Sequence, residues 1–278
     1  MPELDANDDI LIQHYSLKHR TIAWISSHLF DHITYTVQHG LLKGMKRRGG
    51  LGWLPASLTS SEVTAEERFW HDLDLRGKTV YDIGAFHGLL TLFFAGRAKS
   101  VVSFEPNSRN RARLLENLRL NKIQNVQVRD RGVGSQRESR QMASVALTPG
   151  GASIDERAIE SFAKSGAATV TEDVSIVTLD EEIPEQNLPR PDFIKIDTEG
   201  WELEALRGAR NTLLTCSPAL FLEMHGSTMG EKKRKVSEIV NFLRESGYRQ
   251  IVHVESGEMI HPENSGIAAR GHLYCSGK

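Results

Sequence analysis

Cysteine is almost absent from these 278 residues. Cys216 and Cys275 stand far apart, in no metal-binding spacing, and two thiols offer no disulfide framework. So sparse a usage suits a reducing compartment, and a cytoplasmic location is the expectation. No run of about 18 apolar residues occurs, so no membrane span is expected. The first residues, Met1 to Asp9, are acidic and lack a basic segment, so no secretory signal is read there. Excess charge is missing too: 34 Lys and Arg stand against 36 Asp and Glu, a formal net charge of −2. That balance gives no electrostatic case for a nucleic acid or an anionic membrane as partner. There is no internal repeat and no low-complexity tract. What remains, 39% hydrophobic and 25% charged, is ordinary globular composition, long enough for one large α/β domain with an extension.

The organising stretch runs from Val80 to Gly88. A β-type run, Thr79-Val80-Tyr81, ends in Asp82; Gly84 and Gly88 follow, and Leu89 to Phe94 is apolar enough for a helix packed on a sheet. Strand, glycine turn and helix let backbone approach a nucleotide-like ligand closely. Val101 to Phe104 reads as the next strand, with Glu105 at its end. An acidic residue about 20 positions beyond the turn suits the two hydroxyls of a ribose. The turn is not the Gly-x-Gly-x-x-Gly of nicotinamide or flavin sites, because Ala85 takes the middle-glycine place and leaves less room for a pyrophosphate. A ligand with a ribose and no pyrophosphate, such as S-adenosylmethionine, fits better.

Residues 1–60 form a separate N-terminal extension and linker, and 61–278 the main domain. Ile22, Ile25, Leu29, Ile33 and Val37 recur at helical spacing, so an amphipathic helix is expected, ending before Gly40 or Gly44. His14, His19, His28, His32 and His39 lie here; His28 and His32 are a turn apart, a spacing read as a polar helix face before a metal site. Lys43, Lys46, Arg47 and Arg48 read as a solvated linker, with a basic patch for a phosphorylated substrate as the lesser option. Glu62 to Leu75 is expected as a helix capped by Ser60 or Ser61, with Phe69 and Trp70 inward. Asn107 to Asn121 reads as a helix burying Leu114, Leu115 and Leu118. Val126 to Val128 is the third strand. Asp130 and Arg131, just beyond it, lie where a ligand's base edge is read in a doubly wound fold.

Residues 135–178 break the rhythm. Met142 to Leu147 and Ala168 to Val177 are β-like, so a hairpin-like insertion over the sheet's C-terminal edge is expected, where loops carry substrate contacts. Phe193 to Asp197 is strand four, and Thr198 to Glu202 opens a helix with acidic residues at its positive end. Ala219 to Leu222 is strand five, leaving through Glu223 and His225. Further elements at Val236 to Phe242, Ile251 to Val254 and Gly271 to Cys275 complete an alternation of strands and helices. Such alternation indicates a largely parallel sheet covered on both faces.

Three blocks then agree: Val80 to Gly88 with Glu105; Val177 to Asp180; and Phe193 to Glu202, with Leu206 to Ala209 and Pro218 to His225. Over about residues 77–226 the chain resembles the FkbM family of S-adenosylmethionine-dependent methyltransferases. Phe86 and His87 depart from the small or amide-bearing residues frequent there. The resemblance implies a Rossmann-like class I methyltransferase fold: a seven-stranded, mostly parallel sheet of order 3-2-1-4-5-7-6, strand seven antiparallel. It also implies methyl transfer, typically to a hydroxyl oxygen. Donor-site candidates are Asp82, Gly84, Ala85, Gly88, Glu105, Asp130 and Arg131. Catalytic candidates are Asp197, Glu199 and His225, which with Glu223 follow strands four and five, where such folds place their chemistry. An alcohol acceptor needs its proton removed, and His225, with an ordinary pKa near 6.5, suits that task. Lys195, inside a buried strand, needs a partner, and Asp82 or Asp197 is expected to supply it. No metal constellation is read. The expected acceptor is a small-molecule, glycan or lipid-linked hydroxyl, and the N-terminal helices offer a homodimer surface. A nucleotide-cofactor oxidoreductase and a non-catalytic binding module are the competing functions.

Overall fold

The computed structural model describes residues 33–49, 63–145, 152–154, 159 and 169–277. It begins with a hairpin. Strand β1 (Thr34–Thr36) pairs antiparallel with β2 (Lys46–Arg48), Tyr35 opposite Arg47. The helix expected through Ile33 and Val37 is therefore a strand at this point. Gly40 and Gly44, both at positive φ, turn the chain where no helix continues. The rest of that expectation, with His14, His19, His28, His32 and the dimer surface, lies outside the described residues. Helix α1 (Ala65–Asp72) is capped by Thr64, whose hydroxyl accepts from Glu67 N at 3.0 Å, not by Ser60 or Ser61. Its Trp70 is fully buried among Phe93, Phe94, Phe193 and Phe221. Replacing such an aromatic by alanine costs about 3–5 kcal/mol.

Next come β3 (Thr79–Ile83), α2 (Leu89–Ala95), β4 (Ser100–Phe104), α3 (Ser108–Leu120) and β5 (Val126–Arg129). Asn107 caps α3 by accepting from Asn110 N at 2.9 Å. Leu114 and Leu118 of α3 are buried, whereas Leu115, expected beside them, is exposed. A small second sheet follows: β6 (Gly132–Val133), β7 (Glu138–Val145), β8 (Ala152–Ser153) and β9 (Thr169–Val177), in the order β6-β9-β7-β8. Strands β7 and β9 pair antiparallel from Glu138 opposite Ile176 to Val145 opposite Thr169. The chain returns through α4 (Leu179–Glu185), β10 (Phe193–Ile196), α5 (Glu202–Arg207), α6 (Arg210–Cys216), β11 (Ala219–Glu223), α7 (Met229–Glu245), β12 (Gln250–His253) and β13 (His272–Ser276).

The main sheet runs β5-β4-β3-β10-β11-β13-β12. Numbered along the chain, this is the order 3-2-1-4-5-7-6. Only β13 opposes its neighbours; the remaining pairs are parallel. All five residues of β3 are buried, as expected of a parallel strand covered on both faces. The order reverses between β3 and β10, and a crevice opens at the C-terminal ends of strands at such a switch point. Both the glycine turn and the carboxylates after strand four leave from that place.

Candidate active site

The chain leaves β3 through Gly84 (φ 78°), Phe86 (φ 50°) and Gly88 (φ 78°). A Cβ on Gly84 would lie 1.7 Å from the carbonyl oxygen of Asp197, and one on Gly88 would lie 2.9 Å from Leu114 Cγ. The glycines thus make room for the β10 exit and for α3, beyond any room they leave for a ligand. Gly84 N and Ala85 N donate to Phe104 O at 3.0 and 3.1 Å, so these two N–H groups serve the fold. Glu105 is buried; its carboxylate accepts from Phe86 N at 2.7 Å and Asn107 N at 3.0 Å. Burial, only partly opposed by those bonds, pushes its pKa up to about 7. Each oxygen keeps acceptor capacity, and the residue lines the cavity described below. Phe86 and His87, the departures noted in the sequence, stack with ring centroids 3.7 Å apart. Burial, with Arg113, Arg47 and Arg109 adding repulsion, pushes His87 down to about 3 and keeps it neutral. Arg131 lines the cavity, whereas Asp130 does not and faces Arg131 Nε at 3.6 Å.

Asp82 and Lys195 meet beneath the turn. Lys195 Nζ donates to Gly84 O at 2.8 Å and stands 3.1 Å from Asp197 Oδ2 and 3.4 Å from Asp82 Oδ1. Both carboxylates expected as its partners are there. Thr91 Oγ1 donates to the other Asp82 oxygen at 2.5 Å. This buried pair ties β3, β10 and the turn together.

The carboxylates converge at the exits of β10 and β11. His225 Nε2 stands 3.5 Å from Glu199, 3.6 Å from Glu223 and 3.8 Å from Asp197, while Nδ1 bonds Glu202 at 3.0 Å. Burial alone would lower the imidazole's pKa, but Glu202, then Glu199 and Asp197, push it up to about 10. His225 is therefore a cation at neutral pH, which corrects its reading as a neutral base. Partial burial, joined by Asp197, Glu223 and Glu202 against the opposing His225, pushes Glu199, whose side chain keeps 39% exposure, up to about 7. Glu199, like Glu105, therefore titrates near neutrality, and it is the one of the two that stands among the β10 and β11 exit carboxylates. It holds φ 52°, a strained conformation for a side-chain-bearing residue of the kind that clusters at functional sites. Ser153 Oγ fixes its carbonyl at 2.8 Å. Glu202 accepts from Thr198 N at 3.2 Å and Gly200 N at 2.9 Å. Glu202 thus holds both the turn and the imidazole, a role missed from sequence; its place at the positive end of a helix was the visible signal. Asp197, Glu223 and His225 also bring their ligand-type atoms within 4.8 Å of one another. His225 Nδ1 bonds Glu202 and its Nε2 faces the other two carboxylates, so the three residues have the composition of a metal-type group as well as of a charge cluster.

One cavity of about 840 Å3 joins these parts. Its walls include Gly84 to Phe86 and Glu105, then Asp197, Glu199 and Glu223, then Met142, Ala152 and Ile154 of the small sheet. The hairpin contributes too. Arg47, expected in a solvated linker, is buried and lines it.

Sheet order and switch-point crevice define a Rossmann-like class I methyltransferase fold. The family model of the methyltransferase FkbM domain matches residues 82–250, and the chain belongs to that family. S-adenosylmethionine is the cofactor of this class. Among solved structures, the chain is 20% identical to methyltransferase FkbM from Methylobacillus flagellatus, with a TM-score of 0.47 over 72% of this chain and 43% of that one. It thus spans under half of that protein's length. A Streptococcus mutans protein described as a methyltransferase, solved with SAH, is 15% identical (TM-score 0.40; 75% and 93% covered). An rRNA methylase from Streptococcus thermophilus is 14% identical (TM-score 0.38; 74% and 88% covered). Likenesses this distant carry no argument about the acceptor. No curated protein matches the sequence.

Proposed function

We propose that this protein is an S-adenosylmethionine-dependent O-methyltransferase acting on a hydroxyl of a small molecule, a glycan or a lipid-linked intermediate. The observation that carries the proposal is the shared cavity: the carboxylates Glu105 and Glu199 line the same space. Its volume lies within the range of ligand pockets.

The donor supplies a methyl group already activated by a sulfonium, so the protein's task is positioning and exclusion of water. In our reading Glu105 accepts the ribose hydroxyls and Arg131 flanks the base. Asp82 and Lys195 hold the turn against β10, which fixes donor and acceptor sides relative to each other. Asp197, held at 3.1 Å by Lys195, orients the acceptor hydroxyl. Glu199 would take the hydroxyl proton while the oxygen gains the methyl group and the methyl's bond to the donor sulfur breaks, the sulfur leaving with the electron pair as the neutral thioether. His225, charged and held by Glu202, offsets the negative charge of the surrounding carboxylates. No metal enters this reading. A cytoplasmic location belongs to it as well, with Cys216 and Cys275 as free thiols. Among the described residues no helix is long and apolar enough to cross a membrane.

The test is a screen of hydroxyl-bearing compounds with methyl-labelled donor. SAH release that depends on an added alcohol supports the proposal. Donor binding with no acceptor found across alcohols, amines and RNA would favour a binding module instead.

A further inference from the structure

The hairpin end of the cavity holds a charge that nothing in the mechanism uses. Lys46 N donates to Asn121 Oδ1 at 2.8 Å and Arg48 N to Asn117 Oδ1 at 3.0 Å, while Asn121 Nδ2 donates back to Lys46 O at 2.7 Å. These bonds zip β2 onto α3. Between the two anchored residues, Arg47 faces the cavity beside His39, Leu41 and Leu42. Its residue exposure is 9%. Its Nε has no hydrogen-bond partner among the described residues, and none of their carboxylates forms an ion pair with it. Glu66, which also lines the cavity, is bonded by Trp70 Nε1 at 3.0 Å. Burial disfavours the guanidinium charge, Tyr35 partly opposes this, and Arg113 adds repulsion.

A buried guanidinium with no carboxylate partner among the described residues is costly to keep. Such a cost is retained where a ligand supplies the missing partner, and a guanidinium fork matches a carboxylate or phosphate. Arg47 lies outside the segment that matches the family, residues 82–250, whereas Glu105 and the glycine turn lie within it. An anion at Arg47 therefore belongs to what distinguishes this chain, its acceptor, and not to the donor common to the class. We propose that the acceptor carries an anionic group, a carboxylate or a phosphate, and that Arg47 receives it at the hairpin end of the cavity. The inference rests on the methyltransferase reading for the position of the donor.

The test titrates SAH-saturated protein with inorganic phosphate and, separately, with acetate, and compares Arg47→Met, Arg47→Lys and wild type. Wild type is expected to bind at least one of the two anions saturably, and the stronger of the two names the class. Arg47→Met should weaken that anion at least tenfold, with Arg47→Lys between, while SAH affinity stays within twofold in all three. Without ligand, Arg47→Met should melt a few degrees above wild type, because it removes an unpaired buried charge. A merely structural arginine would lower the melting temperature instead. Equal anion binding in wild type and Arg47→Met, or no saturable binding, overturns the inference. So does a loss of SAH affinity in Arg47→Met, which would give Arg47 to the donor's carboxylate. Failure of wild type to bind SAH at all would instead strike the methyltransferase reading.

Discussion

Exchanging Glu199 for glutamine keeps the side chain's size and removes the proton-accepting oxygen anion. The backbone turn should survive, because it is held by Ser153 on one side and by the Glu202 carboxylate on the other. A positioned general base contributes about 10²- to 10⁴-fold, or about 3–5 kcal/mol of barrier. Turnover in Glu199→Gln should fall by that factor while SAH affinity changes less than twofold. The pH profile carries more information than the rate. With Glu199 near 7, wild-type turnover at saturating donor should rise with pH through 7 and level above it. At pH 5 only about one-hundredth of Glu199 is ionised, so the wild type should slow about a hundredfold from its plateau. The variant should lose this dependence. The assay is SAH release in single turnovers across pH 5 to 9. A variant within threefold of wild type, or one that keeps the rise near pH 7, would refute the assignment.

Glu105→Gln should weaken SAH binding by about 1.5–3 kcal/mol, the scale of hydrogen bonds to a charged group; calorimetry that shows unchanged affinity would remove Glu105 from the ribose role. Wild-type affinity should also climb as pH rises through about 7, where Glu105 ionises, and stay level in the variant. Gly84→Ala places a methyl 1.7 Å from Asp197 O at positive φ and should cost about 3 kcal/mol or more, read by urea unfolding; a melt like wild type would contradict that packing. His225 has a folded pKa near 10 against 6.5 unfolded. Its stabilising share is therefore complete below pH 6.5 and is lost as pH rises through 10. Comparing His225→Gln with wild type from pH 6 to 10 should show this difference shrink, and a constant or growing gap would contradict it.

Much of this architecture was legible in the residues. The run Thr79 to Phe94 carries its own local signals, a buried strand, a glycine turn and an apolar helix face. Glu105, singled out at the end of the second strand, does line the cavity. The pairing of Lys195 with Asp82 and Asp197 follows from one rule, that a cation inside a buried strand needs carboxylates. Other features depended on contacts distant in sequence. His225 looked like a base because nothing local shows Glu202 on its Nδ1. The structure makes that contact by placing the α5 start beside the β11 exit. Ile33 and Val37 satisfy a helical period by chance, and Gly40 and Gly44 decide instead for a hairpin. Arg47 sits in a run of basic residues that reads as solvated, yet the pleat of β2 and the amides of Asn117 and Asn121 turn it inward. Gly84 suggests ligand room from its neighbours in sequence, while its tightest constraint is the carbonyl of Asp197, 113 positions away.

On the proposed function, the cavity at the β3–β10 switch point takes a ribose-bearing sulfonium donor and not a dinucleotide. Calorimetric titration of the full chain with SAH and with NADH tests it most directly. Saturable one-to-one SAH binding that weakens in Glu105→Gln is expected, with no NADH binding. Saturable NADH binding with none for SAH would contradict it.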